Sequence, residues 1–228
     1  WVLEQHGVPY TTLHDADVRD GKLAEMDVLL VPDMAPRQMR AGMSARAVPA
    51  PYAGGLGDAG IARIRAFVEG GGRVVLLDRA SQLAPELGVA ATFVTPTPRG
   101  GEDGEGPPSM AGTPAAGARA ERPYAPGSIL RTLVATPHPI AAGVADTVAA
   151  YFTNSTTLDV GAVPGATAVL RYPASPDALL MSGYLSGAAA IAGKTALAVA
   201  PAGRGDVVLF GFRPQHRGQS VGTFKLLF

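Results

Sequence analysis

The stretch DAGIARIRAFVEGGGRVVLLD, residues 58–78, decides the fold class. Its first apolar side chains lie three and four residues apart, which is typical of the buried face of a helix. These residues are Ile61, Ile64 and Val68. Asp58 is a candidate N-cap, and the three glycines at 70–72 end the predicted helix. The run RVVLLD at 73–78 then predicts a buried strand.

A second apolar run lies upstream of this helix. The sequence VLLVP at 28–32 is followed by Asp33, which is typical of a short buried strand that ends in a turn. Strand, helix and strand in this order form a βαβ unit, and such units build parallel sheets. We therefore predict an α/β fold with a mostly parallel central sheet.

The second half of the chain is richer in strand patterns. Short apolar runs are separated by Pro, Gly and Asn turns at 128–134, 148–152, 167–172 and 179–184. Two further runs, 195–200 and 206–212, flank a glycine-containing connection that predicts a hairpin. A final helix is expected to carry three apolar side chains on one face. They are Val221, Phe224 and Phe228.

Residues 95–123 differ in composition from the rest of the chain. They contain six prolines and six glycines, and Met110 is their one large aliphatic side chain. Such a segment cannot bury enough apolar surface to order itself. We predict a mobile Pro/Gly-rich insertion within a single domain that spans residues 1–228.

Composition excludes several classes of function. Lys plus Arg and Asp plus Glu both total 19, so the formal net charge is zero, and no electrostatic field favours nucleic acid or an anionic membrane. The apolar runs are too short for membrane insertion. The chain has no cysteine, which removes thiolate nucleophiles, thiolate metal ligands and disulfides together.

Six segments carry a resemblance to a known family. They are YAGGLG (52–57), AFVEGGG (66–72), DRAS (78–81), YAPGS (124–128), HPIAAG (138–143) and the whole of 205–228. Together they resemble the C-terminal class I glutamine-amidotransferase-like domain of bacterial zinc carboxypeptidase-like proteins. The closing stretch, GDVVLFGFRPQHRGQSVGTFKLLF, is the most specific of the six.

This resemblance implies a flavodoxin-like three-layer sandwich that forms the C-terminal part of a longer protein. The parent would be a metalloprotease, a hydrolase that removes C-terminal residues from peptides. Its zinc would lie in an N-terminal carboxypeptidase-like domain, which would be the partner of this chain, and this chain itself would need no cofactor. Members of this arrangement are generally exported, so the resemblance also implies an extracytoplasmic or secreted location.

An active glutamine amidotransferase needs an activated cysteine on the tight turn after a central strand. The corresponding turn here is LDRAS at 77–81, which has no cysteine. His216 lies where the resemblance places the catalytic histidine, but Arg217 and Gly218 replace the Pro-Glu that follows it in active enzymes. Ser81 is either a substitute nucleophile or a helix cap, and its surroundings favour the cap. We expect no catalytic residue in this chain.

Ligand or metal binding remains to be considered. Asp78 and Arg79 end a predicted strand, where α/β sheets bind ligands, and Arg213 and Arg217 follow the last strand. These four residues are the candidate ligand site. The alternative for Asp78 and Arg79 is a structural ion pair, and for Arg213 and Arg217 it is interdomain or loop packing, which their pattern favours. His14 and Asp17 have metal-ligand spacing but lack a partner histidine, so we predict no metal site. The glycines at 54–57 lack the Lys-Ser/Thr of a phosphate-binding loop, which favours a structural turn.

Three functions remain open at this point. The first is a non-catalytic accessory domain that packs against, or orients, a zinc carboxypeptidase domain. The second is a binding module for a small peptide or sugar, and the third is an interaction module that forms a homodimer. The missing nucleophile favours the first.

Overall fold

The structure is a computed structural model that describes residues 1–94, 123–218 and 220–228. Within these ranges the chain forms a mixed α/β fold around one large sheet. The predicted insertion at 95–123 lies outside the described residues except for Pro123. No helix in the described ranges combines the length and the apolarity needed to cross a bilayer.

The first half contains the α-helices and the two strands that the βαβ pattern predicted. In chain order the elements are α1 (Val2–Gln5), α2 (Asp15–Arg19), β1 (Val28–Val31), α3 (Pro36–Ala41), α4 (Gly57–Glu69), β2 (Arg73–Leu76) and the 3₁₀ helix Asp78–Leu87. Helix α4 buries Ile61, Ile64 and Val68, as their spacing predicts. It ends at the glycine run, also as predicted.

The second half consists of strands joined by short turns and 3₁₀ segments. The strands are β3 (Thr92–Val94), β4 (Ser128–Val134), β5 (Thr147–Phe152), β6 (Thr157–Asp159), β7 (Thr167–Arg171), β8 (Leu180–Ser182), β9 (Thr195–Ala202) and β10 (Gly205–Phe210). A 3₁₀ helix over Val221–Leu227 closes the chain. Strands β9 and β10 form the predicted hairpin.

The main path of the sheet runs β1-β2-β10-β9-β7-β4-β5. Only the pairs β1–β2 and β2–β10 are parallel among the described strands, and every other pair is antiparallel. The prediction of a mostly parallel sheet is therefore wrong, and the sheet is mixed. From β4 to β10, where every connecting residue is described, no α-helix links one strand to the next, and the short connections produce antiparallel pairs.

Strand β10 joins the two halves because it inserts between β2 and β9. Its side chains alternate between two cores, as the two-residue period of a strand requires. Val207 and Leu209 pack with the face of α4, while Val208 and Phe210 pack with the core of the second half. This arrangement brings the carboxyl end of β10 beside the carboxyl ends of β1 and β2.

Two local predictions were wrong. Asp58 is not the N-cap of α4, because the helix begins at Gly57 and the Asp58 carboxylate pairs with Arg40. The closing helix does not bury its predicted stripe, since Val221 is 68% exposed and Phe228 is 52% exposed. A 3₁₀ helix has three residues per turn rather than 3.6, so the α-helical spacing no longer describes one face.

Candidate functional site

Charged side chains gather where the three parallel strands end. Asp33 follows β1, Asp78 and Arg79 follow β2, and Arg213 follows β10. Parallel strands end at the same edge of a sheet, and this edge is where open α/β sheets bind ligands. The four side chains form one connected set of ion pairs, which we call the Asp78 network.

Asp78 occupies a sharp turn directly after β2. Its φ angle is +52°, a left-handed conformation that is uncommon for residues other than glycine, and its side chain is fully buried. One carboxylate oxygen, Oδ2, accepts hydrogen bonds from Ser155 Oγ at 2.9 Å and from Arg213 Nε at 3.2 Å. The other accepts from the backbone N–H of Thr156 at 3.3 Å. Both oxygens of Asp78 are therefore occupied.

Asp33 connects the two arginines of the network. Arg79 donates to both oxygens of Asp33, at 2.8 Å from Nε and 3.1 Å from Nη2. Arg213 Nη2 lies 2.6 Å from Asp33 Oδ2. Two carboxylates thus balance two guanidinium groups, and the network has no net charge. Because these charged groups pair with one another, the arrangement is suited to holding the ends of the three strands together.

Ser81 neither caps a helix nor acts as an exposed nucleophile. Its buried hydroxyl lies 3.1 Å from the carbonyl oxygen of Leu76 and 2.8 Å from that of Phe210. These carbonyl groups belong to the last residues of β2 and β10. The prediction of a capping serine is wrong, because the serine side chain satisfies strand-end carbonyls instead.

His216 lies against strand β5. Its ring stacks on Tyr151 with centroids 4.3 Å apart and planes 10° from parallel. Burial lowers the pKa of His216, and the positive charges of Arg213 and Arg217 lower it further. Among the described residues, the side chains that hydrogen-bond Asp78 are Ser155 and Arg213, so His216 does not hydrogen-bond the residue on the turn as a catalytic base would.

The buried environment of Asp78 changes its acidity. Burial raises the pKa of Asp78 to about 6, the charge of Asp33 raises it as well, and the bonds from Ser155 and Arg213 oppose these effects. Tyr172 is also fully buried, and its hydroxyl donates to the carbonyl of Gly211 at 3.3 Å. Burial raises the pKa of Tyr172 well above its usual value, and the nearby charge of Asp78 adds to this rise.

We expect Asp78 to make the stability of the protein depend on pH. Its pKa rises from 3.8 to about 6 on folding, so its contribution to stability is complete below pH 3.8 and is lost as the pH rises through 6. Asp78→Asn removes this titration while tolerating the left-handed turn. Between pH 4 and pH 7, the free energy of unfolding of the natural chain should fall by about 2–3 kcal/mol relative to the variant. Urea unfolding across this range measures the difference, and parallel curves for the two chains would contradict the prediction.

Three of the four predicted ligand residues come together in the structure. Asp78, Arg79 and Arg213 belong to the network, whereas Arg217 is exposed and outside its ion pairs. Sequence reasoning missed Asp33 and Ser155. The position of Asp33, two residues after the apolar run of β1, was a usable signal, although β1 itself is only partly buried and not the buried strand that was predicted. Nothing in the sequence places Ser155 beside Asp78. Whether these residues bind a ligand stays a prediction.

A separate cavity opens beside the network. It has a volume of about 320 Å³ and lies between α2, α3 and the carboxyl end of β1. Its walls are mostly apolar, and His14, Asp15 and Tyr52 are among the residues that line it. No group of three or more His, Asp or Glu side chains in the described residues is arranged to hold a metal ion.

Comparison with known proteins defines the class of fold. No profile of a known protein family matches the chain, and no curated protein matches its sequence. Solved structures do match over nearly its whole length. They share the glutamine-amidotransferase-like fold, and this chain has that type of fold with a mixed sheet and additional strands.

Three of these structures illustrate the likeness. A Thermoplasma acidophilum protein described as a GMP synthase subunit matches 99% of this chain and 81% of its own, with a TM-score of 0.56 and 10% identity. A Salmonella typhimurium protein described as cytoplasmic gives the same coverage, with a TM-score of 0.53 and 12% identity. A ThuA-like protein from Bacteroides uniformis matches 93% of this chain and 72% of its own, with a TM-score of 0.51 and 10% identity. At these identities the likeness concerns the fold alone.

Proposed function

We propose that this chain is a non-catalytic accessory domain of a zinc metallocarboxypeptidase-like protein. The non-catalytic part of this proposal rests on the identity of the residue on the sharp turn after β2. An active glutamine amidotransferase places its cysteine on such a turn, and here the turn holds Asp78 at a φ of +52°. This carboxylate is buried and accepts three hydrogen bonds, so it lacks the thiolate that glutamine hydrolysis needs and both its oxygens are already engaged.

The rest of the network supports the same proposal. The arginine side chains near Asp78 pair with Asp33 and Asp78, which favours a structural role over recognition of an anionic substrate. This arrangement also argues against the alternative of a peptide or sugar site built on Asp78, Arg79 and Arg213. A ligand there would have to displace ion pairs that are already formed.

The assignment to a carboxypeptidase-like parent rests on the sequence resemblance, above all on residues 205–228. In that arrangement the zinc and the catalytic groups lie in the N-terminal domain, and this chain packs against it. The flavodoxin-like three-layer form and an extracytoplasmic location belong to the same proposal. The parallel trio β1-β2-β10 with α4 packed on it supports the layered form.

The proposal predicts that zinc and peptidase activity both reside outside this chain. The chain alone should bind no stoichiometric zinc, release no ammonia from glutamine and cleave no peptide. The parent protein should contain one zinc per chain and remove C-terminal residues from a model peptide. The measurements are metal analysis by mass spectrometry, a coupled glutaminase assay, and peptide cleavage followed by chromatography.

Two outcomes would overturn this proposal. Hydrolase activity or stoichiometric zinc in the isolated chain would contradict a non-catalytic domain. A gene whose product lacks a zinc-binding His-x-x-Glu and a later histidine before this domain would contradict the carboxypeptidase-like parent. Deletion of this chain from an active parent tests the accessory role. We expect the deletion to lower peptide turnover or the thermal stability of the parent, and unchanged values of both would contradict it.

A further inference from the structure

The cavity beside β1 has the form of a small-molecule site. It lies at the carboxyl end of β1, the edge where ligands bind in open α/β sheets, and Pro32 and Met34 continue its wall beyond the strand. Its volume of about 320 Å³ is within the range of ligand pockets, which are mostly apolar with a few polar groups. Three methionines line it, and their flexible side chains adapt to apolar ligands. They are Met34, Met39 and Met43.

One polar group in this wall lacks a partner. Asp15 lines the cavity and is partly buried, and within the described part of the chain its carboxylate makes no hydrogen bond or ion pair. Arg19 lies one helical turn later but donates its hydrogen bond to the carbonyl of Gly55. Burial raises the pKa of Asp15 despite the opposing charges of Arg19 and His14. The carboxylate has therefore lost part of its hydration without a donor to replace it.

Two aromatic rings line the same cavity as this carboxylate. His14 and Tyr52 both line the cavity and meet edge to face, with centroids 4.9 Å apart. Tyr52 is 60% exposed, so its ring lies at the mouth of the cavity rather than in the core. An aromatic face and a carboxylate together attract a cation, because the π-electrons of the ring and the anionic oxygens both favour positive charge.

We propose that this cavity binds a small apolar ligand that carries a primary ammonium group. The apolar body occupies the space between β1 and α3, and the ammonium group donates to the Asp15 carboxylate beside Tyr52. This site is separate from the Asp78 network, and the inference does not rest on the accessory role proposed above. It fits a class of ligand, an aralkyl or alkyl amine, rather than an anionic or sugar ligand.

The test uses three probes that carry different head groups on the same phenylbutyl chain: 4-phenylbutylamine, 4-phenylbutan-1-ol and 5-phenylpentanoate. At pH 8 the amine is protonated. Calorimetric titration of the natural chain should give the tightest binding for the amine, weaker binding for the alcohol and the weakest for the carboxylate. We expect the amine to bind at least about 10-fold more tightly than the carboxylate, the size of one charge-assisted hydrogen bond.

Variants of this site distinguish the contribution of the ligand's head group to binding from that of its apolar body. Asp15→Asn should weaken amine binding about 10-fold and leave alcohol binding unchanged. Asp20→Asn is the matched control, because it removes one exposed charge from the end of the same helix and does not line the cavity. It should leave all three affinities unchanged. Met43→Trp narrows the mouth at a half-exposed position and should weaken all three probes.

Circular dichroism melts establish that each variant is folded before titration. Failure of the natural chain to bind any of the probes at millimolar concentration would overturn the proposal. It would also be overturned by equal amine affinity in the natural chain and in Asp15→Asn. Sedimentation of the natural chain as a dimer whose mouth residues are protected from hydrogen exchange would show that a second copy, not a small molecule, covers the cavity.

Discussion

Arg213→Ala is expected to lower the free energy of unfolding at pH 7.5 by about 3–5 kcal/mol. Arg213 is the guanidinium group that contacts the fully buried Asp78, and it also pairs with Asp33. Its removal leaves a buried carboxylate with hydrogen bonds from Ser155 and Thr156 but without a counter-charge. Urea unfolding of the natural chain and the variant, followed by circular dichroism, measures the loss.

A second substitution tests the cause of this loss. The double variant Arg213→Ala with Asp78→Asn has no uncompensated charge at position 78, so it should recover most of the lost stability. Arg73→Ala is the control, because Arg73 makes a two-pronged ion pair with Asp206 between the same strands but is 52% exposed. This exposed pair should contribute at most about 1 kcal/mol. Equal losses for the two arginine variants would contradict a special role for the Asp78 network.

Gly55→Ala is expected to destabilise the protein by about 3 kcal/mol. A Cβ atom at position 55 would overlap the backbone of residues 40–42 at the end of α3, and backbone atoms cannot move aside as a flexible side chain can. The neighbouring Gly54 forms an isolated β-bridge with Met43, so the two segments lie in direct contact. The shift in the urea midpoint, at an unchanged slope, measures this loss.

Gly222→Ala is the matched control for this steric effect. A Cβ atom at position 222 would meet no atom within 4 Å. We therefore expect a change within about 0.5 kcal/mol, which is usual for surface substitutions. If Gly55→Ala were equally mild, the close approach of the YAGGLG segment to α3 would not exist in solution.

Much of the local structure followed from the sequence. The two strands and the helix of the βαβ unit, the closing hairpin and strands β4, β5, β7 and β8 were predictable from apolar period and turn residues. The three-residue strands β3 and β6 were not predicted. These features depend on neighbours within a few residues, where side-chain spacing is informative. The exclusion of thiolate chemistry was equally direct, because it required only the absence of cysteine from 228 residues.

The predictions that failed depend on what packs against each segment. The sheet is mixed because β10 pairs with β2 on one side and with β9 on the other. Ser81 was expected to cap a helix, but the carbonyls of two strand ends lie within reach of its hydroxyl. The closing helix winds as a 3₁₀ helix and packs Phe224 edge to face on Trp1, a contact between the two ends of the chain.

For the candidate sites, too, some features were predictable from the sequence and others depended on the tertiary structure. Sequence alone placed Asp78 and Arg79 at a strand end and excluded an amidotransferase nucleophile, because both inferences need only the order of residues. Only the tertiary structure decided that Asp78 pairs with Arg213, 135 residues further along the chain, and that Asp33 joins both arginines. It also placed Asp15 in the wall of an apolar cavity. The physical reason is that ion pairing and desolvation depend on distances in space, and strand order, which sets those distances here, results from packing of the whole sheet.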